Sequence, residues 1–411
     1  MMEGVLIWPR TNTLKRMSVP VGILSLGMTL GWVSWGLSDK IWPLCSLLIF
    51  PVIWGLSGSR KGAWAFCLGY FLGASRGLPA GAVVFFGDES PEWWGVAMWV
   101  GASVIQSIPF GILWSPSRLR RAFGLLFALI IFTLPPLGII GWVNPLTAAG
   151  ALFPGAGWLG LLICLALYAF LAQGRWIVLA PAVLLAAGLN FAAKDLANTA
   201  PVGWIAQDTH FSNLWNGGAN LASQRLSSLS RAQWLLETMA ELPENTNLVL
   251  PETLLGRWDG VLEAMLAMSE QALREKGSRV LVGAEMANGL GGYKNGLLVL
   301  GNSEGESRSA TQSMPVPISM WKPWATDGAD ADFTGKGSSI VVGQVRISAS
   351  ICYEQLVGFS ALRLMLDKPD LIVAVSNVWW ATASNIPMIQ QQSIKAFARL
   401  FNVPVLISRN T

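Results

Sequence analysis

The distribution of apolar residues along the chain constrains its fold more than any other feature. Residues 1–193 consist of long apolar segments with few charged side chains, whereas residues 201–411 have the mixed composition of an ordinary globular domain. Over all 411 residues only 13% are charged, which is roughly half the share in a typical soluble domain. The sequence therefore predicts a polytopic α-helical membrane domain that is followed by a globular domain.

The apolar half predicts about seven transmembrane helices, because each segment approaches the length that crosses the hydrocarbon core of a bilayer. The predicted spans lie at 19–37, 41–56, 63–80, 93–113, 122–142, 157–173 and 176–193. Basic residues cluster before the first span and in alternate loops, at Arg10, Lys15, Arg16, Arg60, Lys61, Arg118, Arg120, Arg121 and Arg175. The positive-inside rule then predicts a multi-pass protein of the bacterial inner membrane. Residues 1–18 would be cytoplasmic, residues 19–195 would form the transmembrane domain, and residues 201–411 would lie in the periplasm.

In the second half, strand-like and helix-like segments alternate, which predicts a layered α/β domain. An apolar strand at Asn247–Leu250 is followed by Pro251 and Glu252, and the strand Val345–Ile351 is followed by Cys352. A thiol and a carboxylate at the ends of two strands are the minimum pair for covalent attack on an acyl group. No zinc-binding pattern occurs, since there is one histidine and no CxxC motif. The sequence therefore predicts no metal and no cofactor.

Other function classes fit the composition less well. The net charge of +4 without a basic, aromatic patch predicts no direct binding of nucleic acid. The predicted spans contain almost no ionisable side chains, which argues against an ion-coupled transporter. A single cysteine is often only a small buried residue, so the interpretation depends on Cys352 and Glu252 together rather than on either alone.

Five short motifs, in this order, resemble the nitrilase (carbon–nitrogen hydrolase) superfamily. They are Pro251-Glu252-Thr253, Tyr293-Lys294-Asn295, Ile351-Cys352-Tyr353-Glu354, Ser376-Asn377 and Arg409-Asn410-Thr411. With the apolar first half, the resemblance narrows to the apolipoprotein N-acyltransferase branch, and within it the chain looks most like conjugal transfer proteins of plasmid transfer systems. It implies an αββα sandwich in residues 201–411 and a Glu–Lys–Cys site.

The resemblance also implies roles for individual residues. Glu252 matches the general base, and Cys352 matches the nucleophile that forms a thioester. Supporting positions are matched by Glu354, Asn295, Tyr353 and Asn377.

Two departures from the family pattern stand out. The position of the family lysine falls near Gln312, and Met320 replaces a family glutamate, which leaves Lys322 and Lys294 as candidate substitutes for the lysine. The sequence also stops at Thr411, before the closing strands of the family fold. From the resemblance we therefore expect a C-terminally incomplete sandwich.

These observations leave two hypotheses. In the first, the protein is a membrane-bound amidase or N-acyltransferase that acts through a cysteine thioester on a membrane lipid or on a lipidated or acylated substrate. In the second, it is a catalytically degenerate homologue that serves as a membrane assembly component and has proteins of the conjugation apparatus as partners.

Overall fold

The computed structural model describes residues 11–86, 91, 93–193, 199–211, 221–303 and 305–411. Residues 1–10 of the predicted cytoplasmic segment, including Arg10, lie outside the described residues, as do residues 194–198 around the predicted end of the transmembrane domain at 195. The first half contains the helices α1 (Thr11–Ser34), α2 (Ile49–Leu56), α3 (Arg60–Ala74), α4 (Leu78–Phe86), α5 (Trp93–Ile112), α6 (Arg118–Thr133), α7 (Ala148–Leu152), α8 (Gly157–Ala172) and α9 (Leu179–Ala192).

The prediction of a seven-span membrane domain is wrong. Among the residues that the structure describes, only α5 is both long and apolar enough to cross a bilayer, which takes about 20 residues. The segment 41–56 divides into a 3₁₀ turn, Trp42–Leu48, and the short α2. Helix α6 ends at Thr133, just before two consecutive prolines, and α8 and α9 have 16 and 14 residues. Apolar composition is uniform across these breaks, so hydropathy alone did not reveal them.

Helices α1 and α3 pack so closely that only glycine fits at their contact. A Cβ atom on Gly31 would lie 2.1 Å from the Tyr70 carbonyl oxygen, and one on Gly73 would lie 2.1 Å from the Met28 carbonyl oxygen. The same close approach recurs one turn earlier in each helix, at Gly27 and Gly69. Reciprocal small residues at four-residue spacing allow two helix backbones to come into direct contact.

We expect Gly31→Ala to lower the free energy of unfolding by about 1–3 kcal/mol, because the added methyl group overpacks a contact made by backbone atoms. The matched control is Gly22→Ala in the same helix, where a Cβ would meet nothing within 4 Å. That control should be neutral or slightly stabilising, since alanine favours a helix. Unfolding followed by circular dichroism measures both variants, and equal stability of the two would contradict the close packing.

The second half contains two sheets and four helices. The strands are β1 (Trp204–Ala206), β2 (Asn247–Val249), β3 (Arg279–Ala287), β4 (Tyr293–Leu300), β5 (Ser309–Thr311), β6 (Ser339–Val342), β7 (Val345–Ile351), β8 (Leu371–Asn377) and β9 (Val405–Asn410). The helices are α10 (Leu221–Glu241), α11 (Gly260–Glu275), α12 (Gly358–Leu366) and α13 (Ile386–Phe401). The structure confirms the strand predicted at Val345–Ile351, and the strand predicted at Asn247–Leu250 is one residue shorter.

Both sheets are mixed. The first has the order β1-β2-β3-β4-β5, with β1, β2 and β3 parallel and the later pairs antiparallel. The second has the order β6-β7-β8-β9, in which β6 is antiparallel to β7 and the other pairs are parallel. Because β2, β7 and β8 each belong to a parallel pair, residues that follow them emerge at the carboxyl edges of the sheets, where ligand sites commonly form.

The two sheets share one apolar core. Side chains from both contribute to it, among them Val249, Leu281, Leu297, Ile347 and Val373. The outer face of the first sheet is covered by α10 and α11, and the outer face of the second by α12 and α13. The site described below lies where the shared core gives way to polar side chains.

Helix α13 also packs against the helical first half. The Gln392 Oε1 atom accepts a hydrogen bond from the Gly36 backbone N–H at 2.7 Å, and its Nε2 atom donates to the Lys40 carbonyl at 2.8 Å. A Cβ atom on Gly150 in α7 would lie 1.9 Å from the Ala396 carbonyl oxygen. One helix therefore contributes to the core of both halves of the chain.

Candidate functional site

Cys352 occupies a sharp corner between β7 and a 3₁₀ turn, Cys352–Leu356. Its φ angle is +50°, a left-handed conformation that is uncommon for a residue with a side chain and is often found at functional sites. The side chain is only 7% exposed. The sulfur thus lies at the carboxyl end of β7 and is largely shielded from solvent.

The corner is held in place by Glu354, which is buried beneath it. One carboxylate oxygen accepts the backbone N–H of Ile351 at 2.8 Å, and the other accepts those of Ser313 and Met314 at 2.7 and 3.0 Å. All of these bonds are to backbone groups, so Glu354 fixes the loop around the cysteine. The adjacent Tyr353 points elsewhere, since its hydroxyl donates to the Ile139 carbonyl at 2.8 Å.

The carboxylate of Glu252 lies against the sulfur. It is 4% exposed, and it accepts hydrogen bonds from the Asn295 side chain at 2.7 Å and from the Asn377 backbone N–H at 2.9 Å. The Cys352 thiol lies close enough to this carboxylate for the two groups to shift each other's pKa. Four predicted site residues, Cys352, Glu252, Asn295 and Asn377, therefore meet in one place.

A glycine in β3 makes room for Glu252. A Cβ atom on Gly283 would lie 2.3 Å from both the Pro251 carbonyl oxygen and the Thr253 backbone nitrogen. Only a residue without a side chain lets the Pro251–Thr253 segment run along β3 at this distance. Thr253 has a φ angle of +50°, and its hydroxyl accepts a hydrogen bond from the Asn377 side chain at 3.1 Å.

Asn410 completes the network from β9. Its side-chain amide donates to the Asn377 Oδ1 atom at 3.0 Å, and its own Oδ1 atom accepts the Thr209 hydroxyl at 2.8 Å. This gives the Arg409-Asn410-Thr411 motif a structural role, because it fixes the orientation of Asn377.

Burial sets the protonation states of the central pair. It raises the pKa of the Cys352 thiol well above its usual value, and the negative charge of Glu252 raises it further. Burial also raises the pKa of Glu252, although hydrogen bonds from Asn295 and Asn377 and the nearby Cys352 thiol oppose the shift. The thiol is therefore protonated at neutral pH, and the neighbouring carboxylate has the raised basicity of a general base.

Gln312, near which the sequence resemblance places a lysine, has a neutral amide. Gln312 donates to the Ile351 carbonyl at 2.9 Å and accepts from the Asn295 side chain at 3.1 Å. Lys294 is exposed and adjacent to Asn295 in β4, so it projects from the opposite face of the sheet. Lys322 is half-buried in the segment between β5 and β6. Within the described ranges, neither lysine forms an ion pair with Glu252, and neither contributes to the pKa shift of Glu252 or Cys352.

Comparison with known proteins identifies the family. The chain is 36% identical over 393 residues to a probable conjugal transfer protein TraB of Sinorhizobium fredii, a match that covers 93% of the chain and 95% of that protein. It is 35% identical over 412 residues to the conjugal transfer protein TraB of Agrobacterium fabrum, covering 95% of the chain and 92% of the relative. The chain belongs to the TraB family of conjugal transfer proteins. No family model matches it.

The expected similarity to conjugal transfer proteins is thus confirmed, and the TraB-family site contains two side chains that the sequence did not reveal. The Gln390 amide in α13 donates to the Cys352 carbonyl oxygen at 3.1 Å and approaches the sulfur at 3.9 Å. Glu285 lies within β3, two residues before its end, and its Cα partner in β4 is Asn295. A glutamate at a strand end was the signal that drew attention to Glu252, and that signal was not present at Glu285.

Glu285 brings a second carboxyl group to the TraB-family site. It is 7% exposed, and burial together with the charge of Glu252 raises its pKa to about 7, while Arg257 opposes the shift. Among the residues described, no group of three or more His, Cys, Asp or Glu side chains has an arrangement that could hold a metal ion. The site is therefore a cluster of carboxyl, thiol and amide groups.

We expect Glu285→Gln to stabilise the protein at pH 8 but not at pH 5. The folded pKa lies above the unfolded value, so this group lowers stability as the pH rises from about 4.5 to about 7. Removing the carboxylate should raise the free energy of unfolding at pH 8 by up to about 3 kcal/mol. Chemical unfolding at both pH values measures the difference. The control is Glu263→Gln, which changes an exposed side chain in α11. If Glu285→Gln changed the free energy of unfolding equally at pH 5 and pH 8, the raised pKa of Glu285 would be contradicted.

Proposed function

We propose that this TraB-family protein is a cysteine-dependent amidase or N-acyltransferase of the nitrilase type. The observation that carries the proposal is the position of the Cys352 thiol beside the buried carboxylate of Glu252, at a strand-to-turn corner where Cys352 has a left-handed φ angle. A thiol beside a basic carboxylate is the arrangement that activates a nucleophile. Asn295 and Asn377 orient the carboxylate from the two sheets.

The proposed reaction has two steps. The Cys352 sulfur attacks a carbonyl carbon while its proton moves to Glu252. The bond to the leaving amine or alcohol then breaks, and the leaving group takes that proton from Glu252, so that a thioester remains on Cys352. An amine or water next attacks the thioester and gives its proton to Glu252, from which the proton returns to the sulfur as the thiol is released.

Aromatic side chains beside the site support an acyl substrate with an apolar chain. The ring of Trp380, three residues after Asn377, packs against Phe85 of α4 with ring centroids 5.1 Å apart. The Trp380 indole N–H donates to the Asn377 carbonyl oxygen at 3.2 Å, so the aromatic pair lies next to the site. A membrane lipid or a lipidated protein has a chain suited to such a surface.

We also propose that the protein is associated with the bacterial inner membrane. Most of its exposed large apolar side chains lie between Val21 and Phe191, in the helical half. A concentration of exposed apolar side chains in one half of a chain favours contact with lipid or with another protein. The periplasmic position of residues 201–411 stays a prediction, because it was derived from a number of spans that the helices do not support.

The second hypothesis, an assembly component without catalysis, also has an observation in its favour. Gln312 occupies the lysine position of the family pattern, and within the part of the chain described no cation pairs with Glu252. An oxyanion formed in the site would then lack a charged donor on the protein, a loss of roughly 3–4 kcal/mol in enzymes where single donors have been removed. Both hypotheses fit the names of the relatives, which link them to conjugal transfer.

The first test measures acylation of Cys352 in the purified full-length protein. After incubation with a p-nitrophenyl acyl ester, mass spectrometry of the peptide that contains Cys352 should show the added acyl group. Glu252→Gln should slow acylation by about 10²- to 10⁴-fold, the usual contribution of a general base. Cys45→Ala, which removes a partly exposed cysteine of the helical half, is the control and should leave the rate unchanged. An undiminished rate in Glu252→Gln would overturn the proposal.

The second test separates catalysis from assembly in the cell. We expect Cys352→Ala to abolish plasmid transfer while the amount of the protein stays normal, because the sulfur is the nucleophile. Cys164→Ala, a change at a buried cysteine outside the site, should transfer normally. Transfer frequency and immunoblotting are measured together, and normal transfer by Cys352→Ala would favour the assembly role.

A further inference from the structure

Glu285 is a buried carboxylate without a hydrogen-bond partner. Across the β3–β4 pair it lies directly opposite Asn295, so both side chains project from the same face of the sheet, toward the space between the sheets. In the portion of the chain that the structure describes, no donor reaches the Glu285 carboxylate, and the exposed Arg257 acts on it only as a nearby charge. A buried carboxylate is costly unless a donor or a cation satisfies it.

A second acceptor in the same cluster is also unoccupied. Asn295 is 1% exposed, and its Oδ1 atom accepts no hydrogen bond. Its Nδ2 atom donates both to Glu252 and to Gln312, which fixes the orientation of the amide. Rotating the amide by 180° would place an oxygen against the Glu252 carboxylate, so Oδ1 is left as an acceptor for a donor that the protein does not supply.

The charges of the site point to the nature of the missing donor. Glu252 is near enough to Glu285 for its charge to raise the pKa of Glu285, and Gln312 adds no positive charge. A metal ion is a poor fit, because the described side chains include no group of three suitable ligands. An organic cation with several N–H donors satisfies both the charge and the free acceptors.

We propose that Glu285 and the Oδ1 atom of Asn295 bind a positively charged nitrogen of the substrate, an ammonium or guanidinium group, and hold it beside Glu252 and Cys352. This inference rests on the proposed function, since it names a chemical class for the ligand of the same site. Glu285 acts here as a specificity-determining residue. The bound cation brings to the site a positive charge that Gln312 does not provide.

The test compares how fast Cys352 reacts with thiol reagents of different charge. Aminoethyl methanethiosulfonate is cationic, and hydroxyethyl methanethiosulfonate is neutral and of similar size. Each forms a disulfide with the Cys352 sulfur and releases methanesulfinate, while the thiol proton leaves to Glu252 or solvent. The full-length protein is treated at pH 8, and modification of the peptide that contains Cys352 is followed by mass spectrometry. The ratio of the two rates removes any effect of the thiol pKa.

We expect the cationic reagent to react about tenfold faster or more in the unmodified protein, since a carboxylate in a shielded site concentrates cations. The ratio of the cationic to the neutral rate should fall toward one in Glu285→Gln. It should stay near the value of the unmodified protein in Glu285→Asp and in Glu263→Gln. Equal ratios in all four proteins would overturn the cation site while leaving the reactive cysteine intact. Failure of both reagents to reach Cys352 would instead contradict the proposed function, and with it this inference.

Discussion

The carboxylate of Glu252 is the interaction on which the site depends. Its hydrogen bonds come from Asn295 in the first sheet and from Asn377 at the end of β8 in the second. A buried carboxylate is tolerated only when its lone pairs are satisfied. The Asn377 donor reaches Glu252 only when the two sheets are packed together, so the hydrogen bonds of the carboxylate are complete only in the assembled pair of sheets.

Helix α13 extends this dependence to the helical half of the chain. Gln390 in the helix contacts Cys352, whereas Gln392, two residues later, bonds to the backbone at Gly36 and Lys40. Asn385, at its start, accepts the Gly77 backbone N–H at 3.0 Å. Residues so close together on one helix cannot move independently. The position of the helical half is therefore coupled to the surroundings of the sulfur.

Strand ends were predictable from sequence, and long-range neighbours were not. Alternating apolar residues predicted β7, so Cys352 could be placed at the end of that strand. The apolar run before Pro251 predicted β2, so Glu252 could likewise be placed just after a strand. The role of Glu285 depends on its register with Asn295 across a sheet, and that of Gln390 on the packing of α13 against the turn at Cys352. Neither relation leaves a local pattern in the sequence.

The prediction for the helical half was wrong for a different reason. Hydropathy measures the composition of a segment but not whether the segment is one helix. The run 41–56 is apolar throughout, yet it forms a 3₁₀ turn and a short helix, and the run 122–142 is interrupted after Thr133 by two prolines. The glycines at 27, 31, 69 and 73 carried better structural information than the apolar residues around them, because their spacing specified a contact between two particular helices.

The neutral amide of Gln312 has different consequences for structure and for chemistry. As a hydrogen-bonding group, Gln312 is well suited to its place, since it joins Asn295 to the carbonyl that precedes Cys352. As an electrostatic group, it supplies no positive charge to Glu252 or Cys352, and the cation that acts on Glu285 is the exposed Arg257. A site that had lost its function would be expected to lose this geometry as well, because nothing would maintain a buried carboxylate and a strained cysteine against their cost. Under the proposed function, a positive charge that arrives with the ligand would complete this site.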